Sequence, residues 1–328
     1  MNLTAFSLNE IGGRKNVEDA IMPQKYTSAT PNVFVVCDGV GGSSFGEVAS
    51  EIATKCFYAI LEKATIQSEA EFRNLLNQSL AKFKEKVDEF VAGNPSAANT
   101  STTLTLAVLQ KDKAYIAWCG DSKIYQIRDG APLFRSRDHS LVTDLVEQGV
   151  ITAAEALTHP QRNIITRSLN SNTKQSDIDI VVLNDIRKND WLLLCTDGLL
   201  EQFTEELFPV VLGRFDKGTN YSEVINKLCF GKTKDNYSMY LLHVDQGAGG
   251  GTAKKVWLPL IVLLAASAGW FAYFQMKGAN RAEATPVVTA PTQPDTVKSI
   301  MMMRPAVPDS NKTGDSPRAA GKTDTIKK

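Results

Sequence analysis

The stretch VFVVCDGVGG, Val33 to Gly42, decides how the chain is read. Five apolar and mostly β-branched residues, Val33 to Cys37, form the pattern of a strand buried on both faces. That strand ends on a carboxylate, Asp38, followed by Gly39, Gly41 and Gly42. A carboxylate beside a buried strand is costly to desolvate unless it is paired or coordinated. Glycines with no Cβ let the backbone come close, so that its carbonyls can reach an ion. A lone Asp-Gly is most often a turn, so the motif gains meaning only if it recurs.

It does recur. WLLLCTDG ends at Asp197-Gly198, YIAWCGDS ends at Asp121, and TKDNYSMYLLHV sets Asp235 just before an apolar run. Near the start, RKNVEDA supplies Arg14, Glu18 and Asp19. If these strand edges coincide in space, several carboxylates converge and their repulsion calls for a cation. An all-oxygen donor set suits hard ions, Mg²⁺ or Mn²⁺.

The surrounding pattern is α+β. Val33–Cys37, Ser101–Leu109, Ala114–Cys119, Ile124–Arg128, Ile178–Leu183, Trp191–Thr196 and Tyr237–Val244 read as strands. Two amphipathic helices stand between the early strands. One carries Val48, Ile52, Cys56 and Ile60 on a face, the other Phe72, Leu76, Leu80, Phe83, Val87 and Phe90. The short RDG turn at 128–130 and the paired helices imply a layered domain.

The 328 residues carry no net charge, which gives no reason to expect a nucleic-acid partner. The neutrality hides an asymmetry: residues 1–245 hold 25 Lys+Arg against 31 Asp+Glu, a net of −6. Residues 277–328 hold 9 against 5, a net of +4. The five cysteines, Cys37, Cys56, Cys119, Cys195 and Cys229, form no CxxC and mostly sit in apolar runs. They read as core residues in a reducing compartment. MNLTAFSLNE has neither the basic nor the apolar region of a signal peptide.

Residues 256–274, VWLPLIVLLAASAGWFAYF, are uncharged and long enough to cross a hydrocarbon core of about 30 Å. Trp257, Trp270 and Tyr273 lie near the ends, and Lys254, Lys255 and Lys277 flank the run. A buried core helix is the rival reading, but no domain follows to bury it. The expected organisation is a catalytic domain at 1–245, a Gly-rich linker at 246–255, a transmembrane helix at 256–274 and a disordered tail at 275–328. With the Lys/Arg balance nearly even, orientation rests on the missing signal peptide. It places the domain in the cytoplasm and the tail outside, a single-pass protein of the cell membrane.

Taken in order, these segments resemble the metal-dependent PP2C-type (PPM) protein serine/threonine phosphatases, the bacterial ones in particular, over about residues 5–245. RKNVEDA and DGVGG are similar to the family's first two acidic motifs. TSTTLTLAVL and CGDSKIYQIRDG resemble its central region, and SRDHSLVTDLVEQGVIT with HPQRNIITRSL the segment around its mobile flap. LLLCTDGL and KDNYSMYLL match its last acidic motifs. The resemblance implies a PP2C-like four-layer α-β-β-α sandwich of two antiparallel sheets flanked by helices. It also implies two Mn²⁺ or Mg²⁺ ions that activate a water for in-line attack on phosphorus. Asp38 would bridge them with the Gly39 carbonyl on one, Asp197 and Asp235 would complete the other, and Asp121 would help hold a third, weaker ion. Arg14 would grip the phosphate, and Glu18 and Asp19 would orient waters or ligands. The implied partners are phosphoserine and phosphothreonine proteins and a cognate Ser/Thr kinase, with a monomeric catalytic domain.

Two residues depart from the pattern. Val40 stands where some relatives carry a histidine proposed to protonate the leaving group, so water must do this here. Val17 stands where many bacterial relatives have Asn, a change expected to repack locally. His139, His159 and His243 read as local hydrogen-bonding groups rather than ligands. Two rival readings remain: a pseudophosphatase that tethers phosphoproteins without turnover, and a receptor whose external tail senses a signal. Ligand integrity separates the first from an enzyme, and Asp38, Asp197 and Asp235 are all present.

Overall fold

The computed structural model describes residues 1–40 and 45–246. In chain order the strands are β1 (Asn2–Glu10), β2 (Ala20–Met22), β3 (Val33–Cys37), β4 (Leu104–Gln110), β5 (Lys113–Cys119), β6 (Lys123–Arg128), β7 (Ala131–Arg135), β8 (Asp179–Leu183), β9 (Trp191–Cys195) and β10 (Tyr237–Gln246). The helices are α1 (Gly46–Leu61), α2 (Glu69–Gly93), α3 (Leu141–Glu147), α4 (Ala153–Thr158), α5 (Asp197–Leu200), α6 (Phe208–Leu212) and α7 (Tyr221–Cys229). One sheet runs β1-β10-β9-β6-β7 and the other β2-β3-β4-β5-β8. Every pairing is antiparallel.

The apolar runs owe their continuity to burial on both faces. Val33, Val35 and Cys37 of β3 face the core shared with α1 and α2, while Phe34 and Val36 face the core between the sheets. Trp191, Leu193 and Cys195 of β9 pack with α5, α6 and α7, and Leu192 and Leu194 turn to the inter-sheet core. β10 divides in the same way, with Tyr237, Met239 and Leu241 on one side and Tyr240, Leu242 and Val244 on the other. Two antiparallel sheets flanked by helices follow from this alternation.

The expected strands at 33–37, 114–119, 124–128, 178–183, 191–196 and 237–244 are present within a residue or two. The one expected at Ser101–Leu109 begins later, at Leu104, because Ser101 to Thr103 serve the site described below. β1, β2 and β7 are strands that the apolar pattern does not announce. β1 is only half-buried along most of its length, β2 has three residues, and β7 is an edge strand containing Pro132. The RDG turn is the two-residue hairpin between β6 and β7, with Asp129 and Gly130 both at positive φ.

The face expected for α1 needs correcting. Its deepest residues are Ala49, Ala53, Phe57 and Leu61, not Val48, Ile52, Cys56 and Ile60, which are half-buried. Small residues at 49 and 53 let the helix lie close to the sheet, and the larger apolar residues fill the seam toward α2 and its solvent side. The α2 face is buried as read at Phe72, Leu76, Leu80, Phe83 and Val87. The cysteines are free, and four of the five are buried.

No helix among the described residues is long and apolar enough to cross a membrane. The run at 256–274, the tail at 275–328, all of the linker after Gln246, and Gly41 and Gly42 lie outside the described residues. Gln246 itself closes β10.

Phe34 is fully buried between the sheets, with its ring 5.2 Å from that of Tyr26 and 5.0 Å from that of Tyr240. Phe34→Ala is expected to lower stability by roughly 3–5 kcal/mol. Ile52→Ser, at a half-buried position packed against the edge of the core, should cost less than that. Urea unfolding of the full chain followed by tryptophan fluorescence measures both.

Candidate active site

Four chain segments meet at one end of the sandwich, and each ends or begins on an acidic residue. Asp38 follows β3, Asp121 lies between β5 and β6, Asp197 follows β9, and Asp235 precedes β10. The loop between β1 and β2 adds Arg14, Glu18 and Asp19. The structure therefore brings together all the predicted site residues. Asp38 feels the charges of Asp19, Asp197, Asp121 and Asp235, and Arg14 feels those of Asp235, Glu18 and Asp38.

Three hydroxyl residues, never singled out in the sequence, fix Asp38. Its backbone N–H donates to Thr103 Oγ1 at 2.9 Å. Its carbonyl accepts from Thr103 N–H at 2.8 Å and from Thr102 Oγ1 at 2.7 Å. Thr103 Oγ1 also bonds Ser122 Oγ at 2.7 Å, which ties the Asp38 strand end to the Asp121 turn. The hydroxyl run Thr100-Ser101-Thr102-Thr103 was the available signal, since consecutive hydroxyl residues before an apolar strand serve backbone groups as readily as they extend a sheet.

Gly39 is needed for close approach, but chiefly to protein. A Cβ there would stand 2.4 Å from the Gly46 carbonyl carbon and 2.7 Å from the Glu18 carbonyl oxygen. The Gly39 N–H donates to that Glu18 carbonyl at 3.0 Å, and Ser50 Oγ donates to it at 2.6 Å. Val40 is held by its N–H on the Ser101 carbonyl at 3.0 Å.

The Arg14 loop is pinned by Asn236, which the apolar pattern of the sequence does not mark. The buried Asn236 amide donates to the carbonyls of Ile11 (2.7 Å) and Asn16 (2.9 Å), and its oxygen accepts from Glu18 N–H (2.8 Å). Gly12, at φ +57°, lets the loop lie against the Asp235 backbone, where a Cβ would come within 1.8 Å of the carbonyl oxygen. Arg14 Nη2 then reaches Asp235 Oδ2 at 2.5 Å.

The electrostatics are those of crowded acids. Burial, opposed by hydrogen bonds and reinforced by Asp197 and Asp235, pushes Asp19 up to about 7. Asp19 Oδ2 accepts from Thr196 Oγ1 at 2.9 Å, while Oδ1 is buried with no partner. Burial and then Asp197 push Asp121 up to about 7. Burial and the surrounding acids raise Asp38 well above the ordinary carboxylate range. Asp197, at the exposed mouth, is raised by the protein mass beneath it and by Asp235, against a hydrogen bond with Asp38.

Among the described residues, no group of three or more His, Cys, Asp or Glu stands ready as a finished metal cage. Asp235 is turned to Arg14. The donor set nevertheless fits hard divalent cations: it is all oxygen, burial and then mutual charge raise Asp19, Asp38, Asp121 and Asp197, and one buried oxygen of Asp19 is orphaned.

The histidines act locally, as expected. His139 Nδ1 accepts from Gly120 N–H at 3.1 Å and the His139 backbone N–H donates to the Gly120 carbonyl at 2.9 Å, which clasps the turn before Asp121. His159 Nδ1 accepts from Gln161 N–H, and His243 Nδ1 pairs with Asp245.

The family model described as "Protein phosphatase 2C" matches residues 12–223. The chain belongs to this family. It is 30% identical over 174 residues to the serine/threonine phosphatase stp of Listeria welshimeri, covering 53% of this chain and 68% of that protein. The crystal structure of the serine/threonine phosphatase Stp1 from Staphylococcus aureus is 28% identical, with a TM-score of 0.65 over 75% of this chain and 96% of that one. The catalytic domain of the phosphatase PstP, solved with two manganese ions, is 23% identical and shares the fold, with a TM-score of 0.62 over 74% of this chain and 99% of that one.

Asn236→Ala in this phosphatase should leave the carbonyls of Ile11 and Asn16 and the N–H of Glu18 without their partner. A stability loss of about 2–4 kcal/mol follows from unpaired buried groups. Activity should fall further than stability, because the loop carries Arg14 and Glu18. Thermal unfolding and turnover of an aryl phosphate, measured on the full chain, check both effects.

Proposed function

We propose that this protein serine/threonine phosphatase hydrolyses phosphoserine and phosphothreonine in proteins with the aid of two divalent cations, Mn²⁺ or Mg²⁺, while tethered to the membrane by residues 256–274. The observation that carries the reading is the convergence of Asp19, Asp38, Asp121, Asp197 and Asp235 at one sheet end, where burial and neighbouring charge raise the first four above the ordinary carboxylate range. Asp38 with the Gly39 carbonyl, and Asp197 with Asp235, would hold the two ions, and Asp121 a third, weaker one. Bound there, the ions would supply an acidified water and screen the charge on the phosphoryl oxygens.

The chain's own residues do the rest. Arg14 is solvent-exposed, and its ion pair with Asp235 is of the kind worth only about 0–1 kcal/mol. Exchanging that carboxylate for a substrate phosphate therefore costs little, and the forked guanidinium suits a phosphate's oxygens. The move also frees Asp235. Glu18, raised by burial, and Asp19, with one unpartnered oxygen, stand beside the centre to orient water. Val40 brings no proton to the leaving oxygen, so water serves there. The pseudophosphatase alternative finds no missing carboxylate to rest on.

The catalytic domain would face the cytoplasm, with the tail outside, and would oppose a Ser/Thr kinase. Support comes from the uncharged 19-residue run and its flanking lysines.

Turnover of an aryl phosphate by the full chain should require added Mn²⁺ or Mg²⁺ and stop in excess chelator. Asp38→Asn should lower the rate by orders of magnitude. The same change should raise the unfolding temperature of the metal-free protein, since one of several repelling carboxyls is gone. Full activity in chelator would refute the two-ion reading.

A further inference from the structure

A cleft of about 800 Å³ adjoins the acidic centre, with Asp121 and Asp197 among its lining residues. Its outer wall is the segment that carries α3 and α4, through Val142, Val146, Ala156 and Leu157. The volume lies within the range of small-ligand sites, and it far exceeds what one phosphoseryl side chain fills. The cleft therefore leaves room for the neighbours of a phosphoseryl residue that reaches the carboxylates.

The wall is unusual for its exposed apolar surface. α4 buries none of its residues, and Leu157 is 77% exposed. The same segment exposes Val150 at 63% and Ile164 at 43%. Burial does not explain why α4 forms. Its first turn is closed by a capping box, in which Thr152 Oγ1 accepts from Glu155 N–H and Glu155 accepts from Thr152 N–H. Local hydrogen bonds hold the helix and leave its apolar side chains for a guest.

The charges on the cleft point to the guest's chemistry. Of its four cationic residues, Lys123 pairs with Asp138, Arg135 with Glu205, and Arg137 with Asp144 and Glu147. Among the described residues, Arg162 is the cation on this wall with no ion-pair partner.

We propose that this cleft is the subsite for the residues flanking the phosphorylated one, and that it selects an extended phosphoprotein segment carrying an apolar side chain against Val146 and Leu157 and an acidic one against Arg162. The inference rests on the phosphatase reading. It adds a sequence preference to an acidic centre that by itself reads only a phosphate ester.

The test uses the full chain with Mn²⁺, an aryl phosphate, and a set of phosphothreonine heptapeptides. Each flanking position carries Leu, Gly or Glu in turn. At one flanking position, kcat/KM for Leu should exceed that for Gly by about tenfold. That ratio should fall to near one in Leu157→Asp. At another position, Glu should exceed Gly, and Arg162→Gln should abolish that advantage. Because each readout is a ratio of two peptides on one enzyme, a loss of folded protein cancels. Ratios near one at every position in the unaltered chain would overturn the subsite, as would a Leu preference that Leu157→Asp leaves intact. Absence of turnover on the aryl phosphate and on every peptide would instead overturn the phosphatase reading beneath it.

Discussion

The mutual repulsion of Asp19, Asp38, Asp121, Asp197 and Asp235 is the constraint around which the rest of the structure is arranged. Burial and neighbouring charge raise the first four above the ordinary carboxylate range. Left alone, such a group would push the strand ends apart. The backbone is tied instead by neutral hydrogen bonds at every approach. Thr102, Thr103 and Ser122 join the Asp38 and Asp121 ends, and Thr196 bridges Asp19 to the Ser238 backbone. Asn236 fastens the Arg14 loop. The acids are fixed by their backbones, so their side chains remain available to a cation.

The double-sided burial of β3, β9 and β10 supplies the rigidity for this. Each of these strands contributes to an outer core beneath helices and to the inner core between sheets. Their ends cannot shift without repacking two cores at once. The loops that carry Arg14 and Gly39 then pack backbone to backbone against Asp235 and Gly46. A site on rigid elements, with donors supported from behind, keeps its geometry while its charge changes.

The sequence was most legible where burial was two-sided. Continuous apolar runs ending in Asp-Gly gave β3 and β9 with their acids, and the same logic placed Asp121 and Asp235. It failed where a residue's work is done by the backbone or by a neutral side chain. Nothing in the apolar pattern marks Thr103 or Asn236, because a single amide or hydroxyl carries no periodicity. β1 and β7 escaped because half-buried or edge strands lack a clear alternation. The α1 face was misassigned because the deepest contacts are alanines, and hydrophobic periodicity gives weight to large side chains instead.

Proton release on cation binding tests the central claim most directly. Burial first, then the neighbouring acids, push Asp19 and Asp121 up to about 7 and raise Asp38 well above the ordinary carboxylate range, so protons are held there in the metal-free protein near neutral pH and a cation must displace them. Calorimetric titration of Mn²⁺ into the full chain, repeated at pH 6.5 in buffers of different ionisation enthalpy, counts those protons. The account predicts release of at least one proton per chain, with affinity that rises as pH is raised toward 8 and with less release at the higher pH. Tight Mn²⁺ binding with no proton release at pH 6.5 and no change of affinity with pH would contradict it.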